Sequence, residues 1–360
     1  MRISNIIGRT FGAAAFAAFL MFVHLPCAAG DTFVDPLSAP ALEIQHPAQA
    51  PLLGIASFGQ TTIAVGMRGL AVFRTAGQGQ WRQSKVPVES DIVSVVLVSA
   101  NDAWACGHDG VVLHSMDAGK SWMVQLDGVS AKTEFEAYYN SLIASGNGAL
   151  SVPLQQVHVN YDNGPTLPWL GIWFSDAQTG YIVGSFGDIA HTEDGGKTWQ
   201  PWLDHIDNPN FYDLNAVAEV GGQIYIAGEQ GIVYRLDAAH EKFVALSTGY
   251  GGSLFGLTGT VKTLIAFGME GMIYHSEDRG QTWERSNNTS TAGIMDGVVL
   301  ADGRIALVSE NGGILISDDD GTNFHSAGSE PGMPLAGITE TGDGKMTLVG
   351  LGGVSDVSEK

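Results

Sequence analysis

The sequence predicts an all-β fold, a seven-bladed β-propeller, on three observations. A turn of the G-x-x-G type between two short apolar strands recurs, with its closing glycine at 69, 110, 187, 231, 271, 312 and 353. All but one of the intervals lie near 41 residues, which is one blade of four strands with their turns. An eight-residue pattern, S/T-x-D-x-G-x-T/S-W, follows that turn in three clean copies: Ser115–Trp122, Thr192–Trp199 and Ser276–Trp283. Glycine is abundant, at 48 of 360 residues, and long helical patterns are scarce; both favour short strands joined by tight turns.

Taken in order, the chain opens on a processing signal. Arg2 and Arg9 precede the apolar run Phe11–Val23, which is too short to span a bilayer comfortably, and Pro26–Gly30 offers small residues for cleavage after Ala29. Residues 1–29 are expected to be a signal peptide, and 30–360 the propeller. A lipid-anchored reading needs a small residue before Cys27, where Pro26 stands; an uncleaved anchor is the other alternative. If Cys27 leaves with the leader, Cys106 is the lone thiol, a small hydrophobe in a strand pattern. The segment Asp31–Pro47 is expected to supply the fourth strand of the last blade around Leu42–Ile44, although Pro36, Pro40 and Pro47 weaken a strand there.

The first strand of each blade reads at Leu52–Ala56, Ile92–Val98, Trp169–Phe174, Leu214–Ala218, Leu254–Leu257, Ile294–Leu300 and Leu335–Ile338. These runs mix β-branched and apolar residues, as strands covered on both faces do. The long interval between glycines 110 and 187 holds an insertion, about 128–165, between blades two and three; a lost blade is the alternative. The insertion begins with a helix pattern, Thr133 and Glu136 forming a capping box and Phe135, Tyr138, Tyr139, Leu142 and Ile143 sharing one face. An irregular run, Asn147–Pro168, follows.

The eight-residue pattern resembles the Asp-box, or BNR, repeat. Its aspartate and hydroxyl bond backbone N–H groups inside a turn, its glycine allows positive φ, and its Trp packs over the turn. The structural residues are Asp117, Gly119 and Trp122; Asp194, Gly196 and Trp199; Asp278, Gly280 and Trp283; and, in the looser copy Ser317–Phe324, Asp319 and Gly321. Worn copies lie at Thr75–Trp81 and Arg235–Phe243. Strand alternation puts the G-x-x-G turns, the blade-to-blade connections and the insertion on one face, and the Asp-boxes on the other. The G-x-x-G face supplies the expected protein-binding residues: Met67, Arg68, His108, Asp109, Ser185, Phe186, Glu229, Gln230, Met269, Glu270, Glu310 and Asn311. Tyr138, Tyr139 and His158 join them from the insertion.

A net charge of −21, from 17 basic and 38 acidic residues, argues against nucleic acid and anionic lipid surfaces. No G-x-S-x-G elbow or Walker loop is present, and the ten histidines are scattered, so no catalytic residue, metal or cofactor is expected. The Asp-box carboxylates fall on separate blades, too far apart for paired-carboxylate chemistry. Glu229, Glu270 and Glu310, on adjacent blades of one face, are the acids that a glycoside hydrolase or carbohydrate-binding propeller would use, which is the alternative function.

Asp-boxes also occur in sialidases, whose family pattern requires an arginine triad and an Arg-Ile-Pro run. Beyond the leader this chain has arginines only at 68, 74, 82, 235, 279, 285 and 304, and no such run. The repeat apolar-G-x-x-G-x-I-x-x-S/T-x-D-G-G-x-T-W, clearest at Ile182–Trp199, resembles that of the photosystem II stability/assembly factor family over about Leu52–Val354. The resemblance implies a signal peptide, a seven-bladed propeller and a non-enzymatic scaffold. Such a scaffold binds a protein partner, assists assembly or function of a membrane complex, and does not itself span the membrane once the leader is removed. It implies the periplasm or secretion, or the thylakoid lumen in a phototroph, and a monomer is expected. Members in phototrophs use an arginine-rich patch; here Arg68 alone stands in the turn series.

Overall fold

The computed structural model describes residues 34–77, 79–329 and 333–357, and the expected signal peptide lies outside them. The strands form seven antiparallel sheets in chain order. The first holds β1 (Leu52–Phe58), β2 (Thr61–Gly66), β3 (Ala71–Thr75) and β4 (Arg82–Gln83). The second holds β5 (Ile92–Leu97), β6 (Ala103–Gly107), β7 (Val112–Ser115) and β8 (Met123–Leu126). Helices α1 (Gly128–Ala144) and α2 (Ser151–Tyr161) intervene. The third sheet holds β9 (Trp169–Phe174), β10 (Gly180–Gly184), β11 (Ile189–Thr192) and β12 (Gln200–Pro201). The fourth holds β13 (Leu214–Val220), β14 (Gln223–Gly228), β15 (Ile232–Asp237) and β16 (Lys242–Ser247). The fifth holds β17 (Leu254–Gly259), β18 (Leu264–Gly268), β19 (Ile273–Ser276) and β20 (Glu284–Arg285). The sixth holds β21 (Ile294–Val299), β22 (Ile305–Ser309), β23 (Gly313–Ser317) and β24 (His325–Ser329). The last, β25 (Leu335–Glu340), β26 (Met346–Gly350) and β27 (Gly353–Val357), has three strands.

Each sheet's first strand packs on the next, β1 on β5 and so on to β25, which returns to β1 and closes a ring. The second strands are mostly apolar because sheets cover both their faces: Ile63, Ala64 and Val65 in β2, and Leu264 to Phe267 in β18, are all buried. In all seven first strands the ladder slips by one residue at the second position. The bulged residues are Leu53, Val93, Leu170, Asn215, Phe255, Met295 and Ala336, and they line a central channel of about 510 Å³.

Two expectations need correction. The first concerns closure: among the described residues, the segment before β1 forms no strand in the last sheet. It makes 3-10 turns at Pro36–Ser38 and Pro47–Gln49 and lies along the first sheet. There Ala41 N–H donates to Val86 O (3.0 Å), and the Gln83 side chain bonds both Ile44 N (3.0 Å) and Leu42 O (2.7 Å). Three prolines in this segment remove the donors a ladder would need. The seam is tied instead by a bidentate Arg74–Asp356 pair between β3 and β27, at 2.6 and 3.0 Å.

The second concerns the insertion, which lies between blades two and three but holds two helices. The N-cap of α1 is Asp127, whose carboxylate accepts from Val129 N and Ser130 N; Thr133 sits inside the helix with its hydroxyl on Val129 O. Residues 151–161, read as irregular, form α2. Its Pro153 falls in the first turn, where a missing N–H costs nothing.

Candidate functional site

The two faces of the ring use their turns differently. On the Asp-box face the four copies share one bond pattern. In the clearest, Asp278 Oδ1 accepts Thr282 N (2.8 Å), Oδ2 accepts the Thr282 hydroxyl (2.7 Å), and Gly280 N donates to Ser276 Oγ (2.8 Å). The same bonds hold Asp117 and Asp194, and at Asp319 the Asn323 N–H and side-chain amide donate in place of a threonine or serine N–H and hydroxyl. The N–H and hydroxyl of Thr282 pull the Asp278 carboxyl down to about 2, so it stays ionised and is unsuited to donate a proton. The glycines also abut the neighbouring blade: a Cβ on Gly119 would lie 2.5 Å from Ile63, and one on Gly321 2.2 Å from Ile265. Trp122, Trp199 and Phe324 are buried over the turns.

On the opposite face five B–C turns share a two-residue reversal with positive φ at both central positions, as a tight hairpin requires. The first of those positions is not glycine: it is Arg68, Asp109, Phe186, Gln230 and Glu270, with φ from 53° to 58°. The second is the closing glycine, pressed against the blade-to-blade connection. A Cβ on Gly69 would lie 2.0 Å from Val88 O, and one on Gly231 2.3 Å from Tyr250 O. At the last blade the same contact, 2.1 Å from Gly353, is made by Ala48 O. The N-terminal segment therefore takes the place of a connection, not of a strand.

Of the candidate residues, Met67, Arg68, His108, Phe186, Gln230, Met269, Glu270, Glu310 and Asn311 are exposed, and Asp109, Ser185 and Glu229 half-buried. The side chains of Asp109, Glu229 and Glu310 are tied down: Asp109 Oδ2 accepts from Ser90 Oγ (2.6 Å), Glu229 Oε2 from Asp213 N (3.0 Å) and Glu310 Oε1 from Gly293 N (2.9 Å). Arg68 reaches Glu89 at 3.2 Å. The apolar side chains are free: Phe186 is 54% exposed, and Met67 and Met269 43% each. Met67 edges an apolar groove of about 300 Å³ with Leu42, Ile44, Pro51 and Leu70.

The insertion frames this face at Phe186. Gln156 of α2 donates to Phe186 O (3.4 Å) and to Asn160 Oδ1 (2.8 Å), and Asn160 Nδ2 donates to Asp188 Oδ1 (2.9 Å). Asp188 is buried, which pushes its carboxyl up to about 6 against the hydrogen bonds from Tyr161 and Asn160. Val152 and Val159, three or four residues either side of Gln156 on the helix, are exposed. Tyr139, expected on the binding face, is buried; its hydroxyl donates to Asp204 Oδ1 (2.9 Å) and accepts from Leu203 N (3.1 Å), anchoring α1 to the third blade. Glu136, His158 and Asp162 bring three ligand atoms within 4.8 Å, but the Lys132 ammonium, 2.9 Å from Asp162, already supplies positive charge there.

Sequence reasoning missed Asp188 and Asp296, and both were visible as exceptions within the repeat. Where Asp188 follows its closing glycine, the other blades have Leu70, Val111, Ile232, Met272, Gly313 and Val354. Where Asp296 follows its bulged residue, the others have Gly54, Ser94, Gly171, Ala216, Gly256 and Gly337.

Fold and turns define a seven-bladed β-propeller of the BNR, or Asp-box, class. Residues 146–324 match the family described as photosynthesis system II assembly factor YCF48. A photosystem II assembly lipoprotein Ycf48 of a Synechococcus species, strain CC9902, is 28% identical over 131 residues, which cover 35% of this chain and 39% of that relative. By these matches the chain is similar to the photosystem II assembly factor family over residues 146–324, and it spans 39% of the length of that curated relative. Among solved structures, YCF48 bound to a D1 peptide is 17% identical with a TM-score of 0.61, covering 88% of this chain and 98% of that one. YCF48 from Cyanidioschyzon merolae aligns equally well, at 17% identity and TM-score 0.61 over 88% and 97%. A streptogramin B lyase shares the fold at 13% identity and TM-score 0.65, over 89% and 96%, so the fold alone selects no chemistry.

Proposed function

We propose that this protein is a non-enzymatic scaffold whose G-x-x-G face binds a protein belonging to a membrane complex and assists that complex's assembly or function. The periplasm is its proposed compartment. The single observation that carries the reading is the Phe186 turn. A bulky aromatic occupies a left-handed backbone position that costs about 1 kcal/mol or more, yet its ring is exposed beside α2. Such strain persists where the side chain serves a contact, and Phe186 with Met67, Met269, Val152 and Val159 offers apolar anchors on a polar, acidic face. The relatives' names support a partner of this kind, since one is an assembly lipoprotein and one binds a D1 peptide.

The test is cross-linking in cells of the native organism with a photoreactive residue at position 186, against one at Lys197 on the Asp-box face. Position 186 is expected to trap a membrane-complex subunit and Lys197 not. Equal trapping at both positions would sink the face assignment. Turnover of a glycoside by the purified protein, abolished by Glu229→Gln or Glu270→Gln, would favour the hydrolase alternative.

A further inference from the structure

The seven bulged residues place a partly exposed ring in the channel, near the end where the blade-to-blade connections enter. Six of the seven are apolar: Leu53, Val93, Leu170, Phe255, Met295 and Ala336. Beside this ring stands Asp296, at the position where every other blade has glycine, alanine or serine. Small residues are required there because the next inner strand lies close: a Cβ on Gly54 would sit 2.8 Å from Val93 O, and one on Gly171 2.9 Å from the Ala216 backbone. A carboxylate in that row is a departure with a cost. Its oxygens accept backbone N–H groups from Gly297 (2.8 Å) and Ile338 (2.9 Å), and no ammonium or guanidinium among the described residues neutralises it. Burial pushes the carboxyl up to about 6, so near neutral pH it is an under-compensated negative charge facing an apolar passage.

We propose that the channel mouth receives a lysine side chain from the bound protein, its methylene stem against the apolar ring and its ammonium on Asp296. This deepens the scaffold reading and rests on it. Charge favours a cation: the B–C turns around the mouth carry Asp109, Glu229, Glu270 and Glu310 against a single arginine, Arg68. Geometry favours lysine over arginine. Each Asp296 oxygen already holds one N–H, which leaves poor access for a planar bidentate fork but adequate access for a compact ammonium. The alternating demand for an apolar stem and a charged tip fits a lysine chain.

The probe is the blocked tripeptide Ac-Leu-Lys-Leu-amide, titrated calorimetrically into the purified protein at pH 7.5. Its counterparts carry Nζ-acetyl-lysine, arginine or glutamate at the centre. The lysine peptide is expected to bind, with the acetylated and glutamate peptides weaker by about tenfold or more, as loss of a charge-assisted bond implies. Asp296→Asn should weaken it by a similar factor. Should that variant fail to fold, Ala336→Lys places an ammonium in the channel from the partly exposed ring and should block the peptide. No binding, equal binding of the glutamate peptide, or full binding to Asp296→Asn and Ala336→Lys would overturn the proposal. The peptide assay needs no natural partner, so its failure leaves the cross-linking result at Phe186 standing, and the reverse also holds.

Discussion

The Asp-box face and the G-x-x-G face are cut from the same repeat, and they differ in what the repeat keeps constant. On the Asp-box face the side chains recur along with the backbone: four aspartates, four hydroxyls and four glycines make the same bonds, and each glycine abuts a neighbouring blade. On the other face five turns keep the backbone and vary the side chain, from Arg68 through Phe186 to Glu270. Recurrence of chemistry marks what holds the ring together. Recurrence of geometry with changing chemistry is what the proposed binding surface requires.

The largest effect that could break this contrast lies on the Asp-box face. Gly321→Ala introduces a side chain at φ 89° and 2.2 Å from Ile265, and should cost about 2–4 kcal/mol by chemical denaturation. A loss within experimental error would remove the claim that these turns lock neighbouring blades.

A smaller effect sharpens the role of the insertion. The buried Asp188 carboxyl titrates near 6 when folded and near 3.8 when unfolded, so the folded protein holds its proton more tightly. Its contribution is fully present below about pH 4 and is lost as pH rises to about 6. Burial lowers the His114 and His191 imidazoles, which act in the opposite sense by weakening the fold as pH falls below about 6.5. Comparing Asp188→Asn with wild type isolates the carboxyl: the variant should lose about 2 kcal/mol less than wild type between pH 4.5 and pH 7. Parallel stability curves across that range would mean that Asp188 is not a buried titrating group.

The smallest effect concerns Phe186. Glycine at that φ of 53° relieves strain, so Phe186→Gly should leave the protein as stable or more stable by about 0.5–1 kcal/mol while removing partner contact. Destabilisation would mean that the ring packs as core, not as an exposed anchor.

The ring was legible in the sequence because each blade restates it. The glycine spacing located every B–C turn, and the run Trp169–Phe174 was read with its observed ends. Features that occur once were harder. The second helix carries a proline and an indistinct apolar face, so Ser151–Tyr161 looked like loop. The closing segment looked like a strand because an open sheet edge calls for one, yet its prolines favoured a connection-like path ending at Ala48. Asp188 and Asp296 escaped because the repeats were scanned for what they share; an acid in a column of apolar or small residues becomes visible only when the blades are compared position by position.

The most direct test pairs one change on each face and reads capture and melting together. Phe186→Asp with Met269→Asp should abolish cross-linked capture of the membrane-complex partner and leave the melting temperature unchanged. Asp278→Ala should lower the melting temperature and leave capture intact. Capture lost with Asp278→Ala at a temperature where the protein is folded, and retained with the Phe186 and Met269 changes, would contradict the division of labour between the two faces.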